Sequence, residues 1–118
     1  MEAKATAKYV RISARKARLV ANEIRGYDYN EAVDILRFTK KKIAEDFLKL
    51  VNSAAANAVN INENLDPSTL YIKKVYVDEG PDIKRYRARA RGRAGVIKKK
   101  MSHLTVVLAE PEKKEEQG

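Results

Sequence analysis

The chain has 118 residues, the length of a single domain, and it contains no Cys and only one His. Disulfides, thiol nucleophiles and Cys-based zinc sites are therefore excluded, no cofactor is expected, and no apolar run is long enough to cross a bilayer. The 25 Lys and Arg against 16 Asp and Glu give a formal charge of +9, which favours a polyanionic partner: nucleic acid first, and an anionic membrane surface second.

The first predicted elements are a strand and a helix. Residues 3–12 alternate in a way that predicts a strand, and one of its faces would carry Ala5, Ala7, Tyr9 and Arg11. Apolar residues then recur at helical spacing from Ser13 to Gly26. The Ser13 hydroxyl is suited to cap this helix, and Gly26 is suited to the left-handed position that ends it.

Two more helices are predicted before residue 61. Asp28, with Glu31 three residues later, predicts a capping box at the start of the second helix. Its expected inner face consists of Ala32, Ile35 and Leu36. A third and longer helix is expected from Thr39 to Asn60. Its apolar side would be formed by Ile43, Phe47, Leu50, Val51, Ala54 and Ala58.

Two strands are predicted in the second half of the chain. Residues 70–77 alternate and are partly apolar on both faces, which is typical of a central strand. Residues 104–108 are rich in β-branched side chains and predict the last strand. Residues 110–118 are charged and nearly free of apolar side chains, so we expect a disordered tail. Residues 1–109 are expected to form one RNA-binding domain.

A basic segment, residues 78–103 and called the arm below, separates these two strands. It has no acidic residue after Asp82 and too few large apolar residues to build its own core. It is therefore either a disordered loop or an extended hairpin held by something outside the protein. Arginines at every second position favour the hairpin, because an extended chain places them on one face, about 6.6 Å apart, where phosphates relieve their repulsion. This arginine ladder consists of Arg85, Arg87, Arg89, Arg91 and Arg93.

Other cations are also candidates for phosphate contacts. The arm adds Lys84, Lys98, Lys99 and Lys100. A second set surrounds the first turn of the first helix, where cations oppose the helix dipole. This set consists of Arg11, Arg15, Lys16 and Arg18. We predict that both sets and the arginine ladder bind RNA.

Several motifs occur in a fixed order along the chain. They are the helix at 13–26, the segment 52–57 of the long helix, the approach to the arm at 75–81, and the arm pattern itself. That pattern is Lys84, then Arg89-Ala90-Arg91-Gly92-Arg93, then His103-Leu104-Thr105-Val106-Val107-Leu108. Together these motifs resemble the bacterial large-subunit ribosomal protein twenty-two family over about residues 3–108.

The resemblance implies an α+β fold: a three-stranded antiparallel sheet packed on three helices, with the last two strands prolonged into a long β-hairpin arm. It implies a structural constituent of cytoplasmic ribosomes that binds large-subunit ribosomal RNA, contacts neighbouring ribosomal proteins and supports assembly, without a small-molecule substrate. The arm would line the nascent-peptide exit tunnel and contact the nascent peptide, with Ile83, Lys84 and Arg85 near the constriction where macrolide sensitivity is affected. The tunnel-lining residues implied are Ile83, Lys84, Arg85, Tyr86 and Arg89.

Three other classes of function fit the sequence less well. A basic DNA-binding or chromatin-like architectural protein would explain the charge equally well, but it would not need a long hairpin with an arginine ladder. A membrane-surface protein would need a helix that pairs a strongly basic face with bulky apolar residues such as Trp, and none of the predicted helices does so. An enzyme is not expected, because His103 is the only histidine and there is no Cys to act with it.

Overall fold

The computed structural model describes residues 1–81, 83–88 and 94–111, with segments 83–88 and 94–99 described by their backbone. The elements in chain order are β1 (Glu2–Val10), α1 (Ala14–Ile24), α2 (Tyr29–Phe38), α3 (Lys42–Ile61), a 3-10 turn (Pro67–Thr69), β2 (Tyr71–Glu79), β3 (Ile83–Ala88), β4 (Ala94–Lys99) and β5 (Ser102–Ala109). Helices α1 and α3 pack on a three-stranded antiparallel sheet, and α2 packs mainly on α3. The predicted α+β fold is confirmed.

The last strand, β5, lies in the middle of the three-stranded sheet. The order is β1–β5–β2, and β5 is antiparallel to both neighbours. Every residue of β5 except His103 is buried. The prediction of a strand at residues 104–108 is confirmed. The prediction that residues 70–77 form a central strand is wrong, because β2 lies at the edge.

A register shift between Ile72 and Lys74 explains the misleading pattern of β2. The shift places Ile72, Val75 and Val77 on the buried side of the strand, although they do not follow a strict alternation. Tyr76, which simple alternation places beside Ile72, is 38% exposed. Apolar residues on both nominal faces therefore mark a bulge and not a strand covered on two sides.

A second irregularity interrupts β1. Its register with β5 shifts between Ala7 and Val10, and Tyr9 adopts a left-handed φ of 60°. Ala5 is buried but Tyr9 is 58% exposed, so the shared face predicted for residues 5–11 is wrong after Ala7. The strand ends at Val10, and Arg11 follows it as an exposed residue.

Local sequence fixes both ends of α1 but not the start of α2. The Ser13 hydroxyl accepts from the N–H three residues later at 3.4 Å, and Gly26 has a φ of 85°, so both predictions for α1 are confirmed. The capping box predicted for α2 is wrong, because the Asp28 side chain makes no capping hydrogen bond. Backbone contacts fix this start instead: the Tyr29 N–H donates to the Leu70 carbonyl at 2.9 Å.

The third helix begins later than predicted. Thr39 ends α2, where its hydroxyl donates to the Ile35 carbonyl at 2.6 Å, and α3 begins at Lys42. The apolar side of α3 is confirmed, since all six predicted residues are buried. The core lies between this side, α1 and the sheet, and its largest fully buried side chains include Phe47, Ile24, Leu70, Ile72, Leu104 and Leu108.

Side chains from the helices cover the outer edges of the sheet. Arg18 of α1 and Arg25, which follows α1, donate to the carbonyls of Val77 and Val75 on β2, at 3.0 and 2.7 Å. On the opposite edge, Asn57 of α3 donates to the Lys4 carbonyl of β1 at 2.9 Å. These contacts satisfy backbone acceptors that an edge strand otherwise offers to another chain.

The arm contains a separate two-stranded antiparallel sheet formed by β3 and β4. Its register runs from Ile83 opposite Lys99 to Ala88 opposite Ala94. Over these two strands the backbone forms the extended hairpin and not the disordered loop. The Cα radius of gyration is 18.3 Å, against about 13.5 Å for a compact chain of this length, so the molecule is elongated.

Candidate nucleic-acid interface

The rest of the described molecule outside the arm is called the body below. Its predicted cations lie around the start of α1. Arg11, Arg15, Lys16 and Arg18 are all exposed. The first turn of α1 contains no acidic residue, so these cations stand near the positive end of the helix dipole without an opposing carboxylate in that turn. The arrangement stabilises a bound anion and is unfavourable without one.

One surface pocket brings the body cations together with the base of the arm. Arg15 and Lys100 both line it, and Glu79 is the acidic residue among its lining. The pocket has a volume of about 190 Å³. The two sets of cations predicted separately from the sequence thus meet at this point, although 85 positions separate Arg15 from Lys100.

The base of the arm is held by close backbone contacts. The Gly80 N–H donates to the Met101 carbonyl at 2.8 Å. A Cβ at Gly80 would lie 3.3 Å from that oxygen and from the His103 ring, so a larger residue requires these neighbours to shift by a few tenths of an ångström. The His103 Nδ1 accepts from the Tyr9 N–H at 3.1 Å, and the two rings make an edge contact. His103 is therefore part of the joint between β1, β5 and the arm.

Arg18 contributes to the fold as well as to the basic surface. Its guanidinium donates to the Val77 carbonyl while the residue stays exposed. A guanidinium has five N–H donors, so this bond leaves others available to a phosphate. RNA binding by Arg18 stays a prediction.

A second pocket lies beside Arg11. It has a volume of about 280 Å³, and Arg11 and Lys42 line it together with Asp46. Lys42, at the start of α3, was not among the predicted site residues. The sequence signal was a run of three lysines at positions 40–42, but the predicted helix start at Thr39 placed that run inside a helix.

The predicted residues of the arm fall into four groups. Ile83, Lys84, Arg85, Tyr86 and Arg87 lie in β3, and Lys98 and Lys99 lie in β4. Lys100 follows β4 and is exposed. Arg89, Arg91 and Arg93 lie outside the described residues, so the shared face of the arginine ladder and the tunnel contacts stay predictions.

Among the residues that the structure describes, two carboxyl groups have altered pKa values, and neither lines these pockets. The hydrogen bond and the charge of Lys73 lower the pKa of Glu2, and hydrogen bonds from Ser68 lower the pKa of Asp66. Over the described residues, no cluster of three or more His, Asp or Glu could hold a metal ion. Every helix in that part of the chain is too short or too polar to cross a bilayer.

Comparison with known proteins shows similarity along almost the whole chain. The family model for ribosomal protein L22p/L17e matches residues 5–109. The large ribosomal subunit protein uL22 of Leptospira biflexa serovar Patoc is 63% identical over 114 residues, which cover 97% of this chain and 98% of the relative. The proteins of the same name from Rubrobacter xylanophilus and Thermus thermophilus are 58% and 57% identical, over 92% and 93% of this chain and 85% and 96% of their own lengths.

Proposed function

We propose, from the premise that the chain belongs to the ribosomal protein L22p/L17e family, that it binds large-subunit ribosomal RNA through its basic surface and supports assembly of the subunit. Members of this family are structural constituents of the large ribosomal subunit, and the family is not one of enzymes. The chain therefore associates with the ribosome. We further propose that it acts without catalytic turnover and in the cytoplasm.

The pocket that Arg15 shares with Lys100 carries the proposal of RNA binding. It joins the cations of the body to those at the base of the arm, so a single phosphate backbone could pass from one to the other. Two cations facing one pocket repel each other, and a polyanion removes that repulsion. Arg15 also offers the planar donor geometry that matches phosphate oxygens.

The register of the arm supports an anionic partner along its length. Lys84 stands opposite Lys98 in the β3–β4 pair. Like charges directly opposite each other on neighbouring strands destabilise the pair by about 0.2–1 kcal/mol. A hairpin with this register is thus more stable against RNA than in water.

The family resemblance supports a finer proposal for the arm. We propose that it lines the nascent-peptide exit tunnel and contacts the nascent peptide, with Ile83, Lys84, Arg85, Tyr86 and Arg89 as the lining residues. Neighbouring ribosomal proteins are the further partners expected of a body inserted among RNA helices.

A salt titration tests the proposed RNA binding. The double variant Arg15→Gln/Lys100→Gln should flatten the slope of log affinity against log salt by about 1.4–1.8 units on large-subunit RNA. A matched variant, Lys4→Gln/Lys49→Gln, removes the same charge from exposed positions away from this pocket, and we expect it to change the slope much less. Equal slopes for the two variants would contradict the pocket as a binding site.

The same titration on duplex DNA distinguishes the proposed RNA-binding function from the DNA-binding alternative. The proposed function requires tighter binding to structured large-subunit RNA than to duplex DNA of equal length and at equal salt. Equal or tighter binding to DNA would favour the architectural DNA-binding protein instead.

A further inference from the structure

The junction between α2 and α3 carries four cations within six residues: Arg37, Lys40, Lys41 and Lys42. Phe38, the last residue of α2, is 83% exposed beside them in the chain. Single exposed apolar residues are common on protein surfaces. An aromatic ring this open, next to four cations, is a less common combination.

A surface depression of about 500 Å³ collects these cations. All four line it, and Glu45 is the carboxylate among its lining residues. Thr39 fixes the turn by bonding its hydroxyl to the Ile35 carbonyl, so Phe38 and Arg37 belong to a helix that ends here. The α3 N-cap position is Lys41, which makes no capping bond and adds positive charge to the helix start.

This depression shares one lining residue with the pocket of Arg11, and the lining of that pocket is followed in the chain by the lining of the pocket at the base of the arm. Lys42 lines both it and the pocket of Arg11. The chain then passes from Arg11 and Ile12 to Ser13 and Arg15, which line the pocket at the base of the arm. We call this surface the basic track, and its cations are Arg37, Lys40, Lys41, Lys42, Arg11, Arg15 and Lys100. The carboxylates along the three linings are Glu45, Asp46 and Glu79.

We infer that the basic track is one continuous RNA-binding surface, in which the α2–α3 junction binds the phosphate backbone and Phe38 stacks on an unpaired base. This inference rests on the proposed function and extends it to residues 37–42. The track begins where the arm begins, so an RNA strand that contacts the arm base can follow it across the body. Phe38 does not line the depression but lies in the chain between Arg37 and Lys40. Cations and an open aromatic ring match the two parts of a nucleotide, its phosphate and its base.

The first test removes charge from the junction. The variant Lys40→Gln/Lys41→Gln/Lys42→Gln should flatten the salt slope of RNA affinity by about 2.1 units on single-stranded and about 2.7 units on duplex regions. The control Lys4→Gln/Lys49→Gln/Lys74→Gln removes three exposed lysines outside the track. Because both variants lower the formal charge from +9 by three, a difference between them measures position and not net charge. Equal thermal melts confirm that both are folded.

The second test addresses the ring of Phe38. Phe38→Leu keeps an apolar side chain but loses the aromatic face, and we expect RNA affinity to fall roughly five- to hundredfold. Phe38→Tyr keeps that face and should bind within about twofold of the wild type.

The outcomes separate this inference from the proposed function. A wild-type protein that does not bind large-subunit RNA would overturn both. Wild-type binding together with equal slopes for the junction variant and its control would overturn the inference alone. Wild-type RNA affinity in Phe38→Leu would overturn the stacking contact, and reduced incorporation of that variant into subunits would then assign Phe38 to a neighbouring protein.

Discussion

Arg15 lies in the first turn of α1 and Arg25 directly follows its last residue, and the two differ in what they contact. Arg25 donates to the Val75 carbonyl at 2.7 Å, whereas Arg15 faces the pocket at the base of the arm. Arg25→Ala should lower the free energy of unfolding by about 0.5–1.5 kcal/mol through the lost hydrogen bond and leave the salt slope of RNA binding nearly unchanged. Arg15→Ala should leave the free energy of unfolding nearly unchanged and flatten the salt slope by about 0.7–0.9 units.

Thermal melts and salt titrations of the two variants check this split. Arg18 should show both effects, since it bonds the Val77 carbonyl and belongs to the predicted RNA-binding set. An Arg25→Ala protein with wild-type stability would show that the edge of β2 does not depend on this contact.

Gly80 lies close to its neighbours at the base of the arm. A Cβ at this position would meet the Met101 carbonyl oxygen and the His103 ring, both at 3.3 Å. We expect Gly80→Ala to destabilise the protein by about 1–3 kcal/mol. Adding His103→Ala removes one of the two contacts, so the double variant should lose less stability than the sum of the singles. Strict additivity in denaturant melts would contradict the crowding at the joint.

Glu2 and Asp66 contribute to the acid side of the stability profile. The pKa values of Glu2 and Asp66 lie below their ordinary values of 4.5 and 3.8, owing to Lys73 and to hydrogen bonds from Ser68. A lowered folded pKa stabilises the protein above the unfolded value, and this contribution is lost as pH falls through the folded value. The melting temperature should therefore drop below about pH 4.5. Glu2→Gln should drop less over that range than the wild type, measured by melts at each pH.

At the scale of elements, periodicity predicted the helices better than the edge strands. The inner face of α3 follows from apolar residues at helical spacing, and all six predicted positions are buried. The same reasoning fails for the edge strands, because β1 and β2 each contain a register shift that breaks the alternation. Arg18 and Arg25 donate to backbone carbonyls that lie 59 and 50 positions away. Contacts over such separations depend on the assembled sheet and leave no local signal.

The arm offers a test at the same scale. By the family resemblance, deleting Ile83, Lys84 and Arg85 should alter the response of ribosomes to macrolides while subunits still assemble. This deletion removes three residues, an odd number, and therefore also shifts the register of β3 against β4. The remaining residues of β3 then move to the opposite face of the hairpin. Deleting the paired residues 97–99 as well restores the register in a hairpin shorter by three pairs.

The two deletions distinguish position from register. An altered macrolide response in both would support the tunnel position of these residues. A change in the single deletion alone would show that the faces of β3 matter and not the loss of Ile83, Lys84 and Arg85. An unchanged response in both, with normal subunit assembly, would contradict the tunnel proposal.

For the whole molecule, stability and RNA binding should reside in different parts of the chain. The core is built from α1, α2, α3 and the three-stranded sheet, with Val20, Ile24, Phe47, Leu50 and Val106 among its buried residues. The β3–β4 sheet is a separate unit that is joined to this body through the contacts of Gly80. Replacing the five ladder residues, Arg85, Arg87, Arg89, Arg91 and Arg93, by Ala should therefore leave the melting temperature almost unchanged, since exposed substitutions shift stability by under about 0.5 kcal/mol each.

The same five-Ala protein should bind RNA with a much weaker dependence on salt. If all five arginines contact phosphates, the slope of log affinity against log salt should flatten by roughly three to five units. A smaller change would mean that some of them stack on bases or face the tunnel. Residual affinity should then depend on the basic track, so adding Lys40→Gln/Lys41→Gln/Lys42→Gln should flatten the slope further. A five-Ala protein that unfolds, yet keeps the wild-type slope where it is folded, would make the arm a structural element and leave RNA binding to the body.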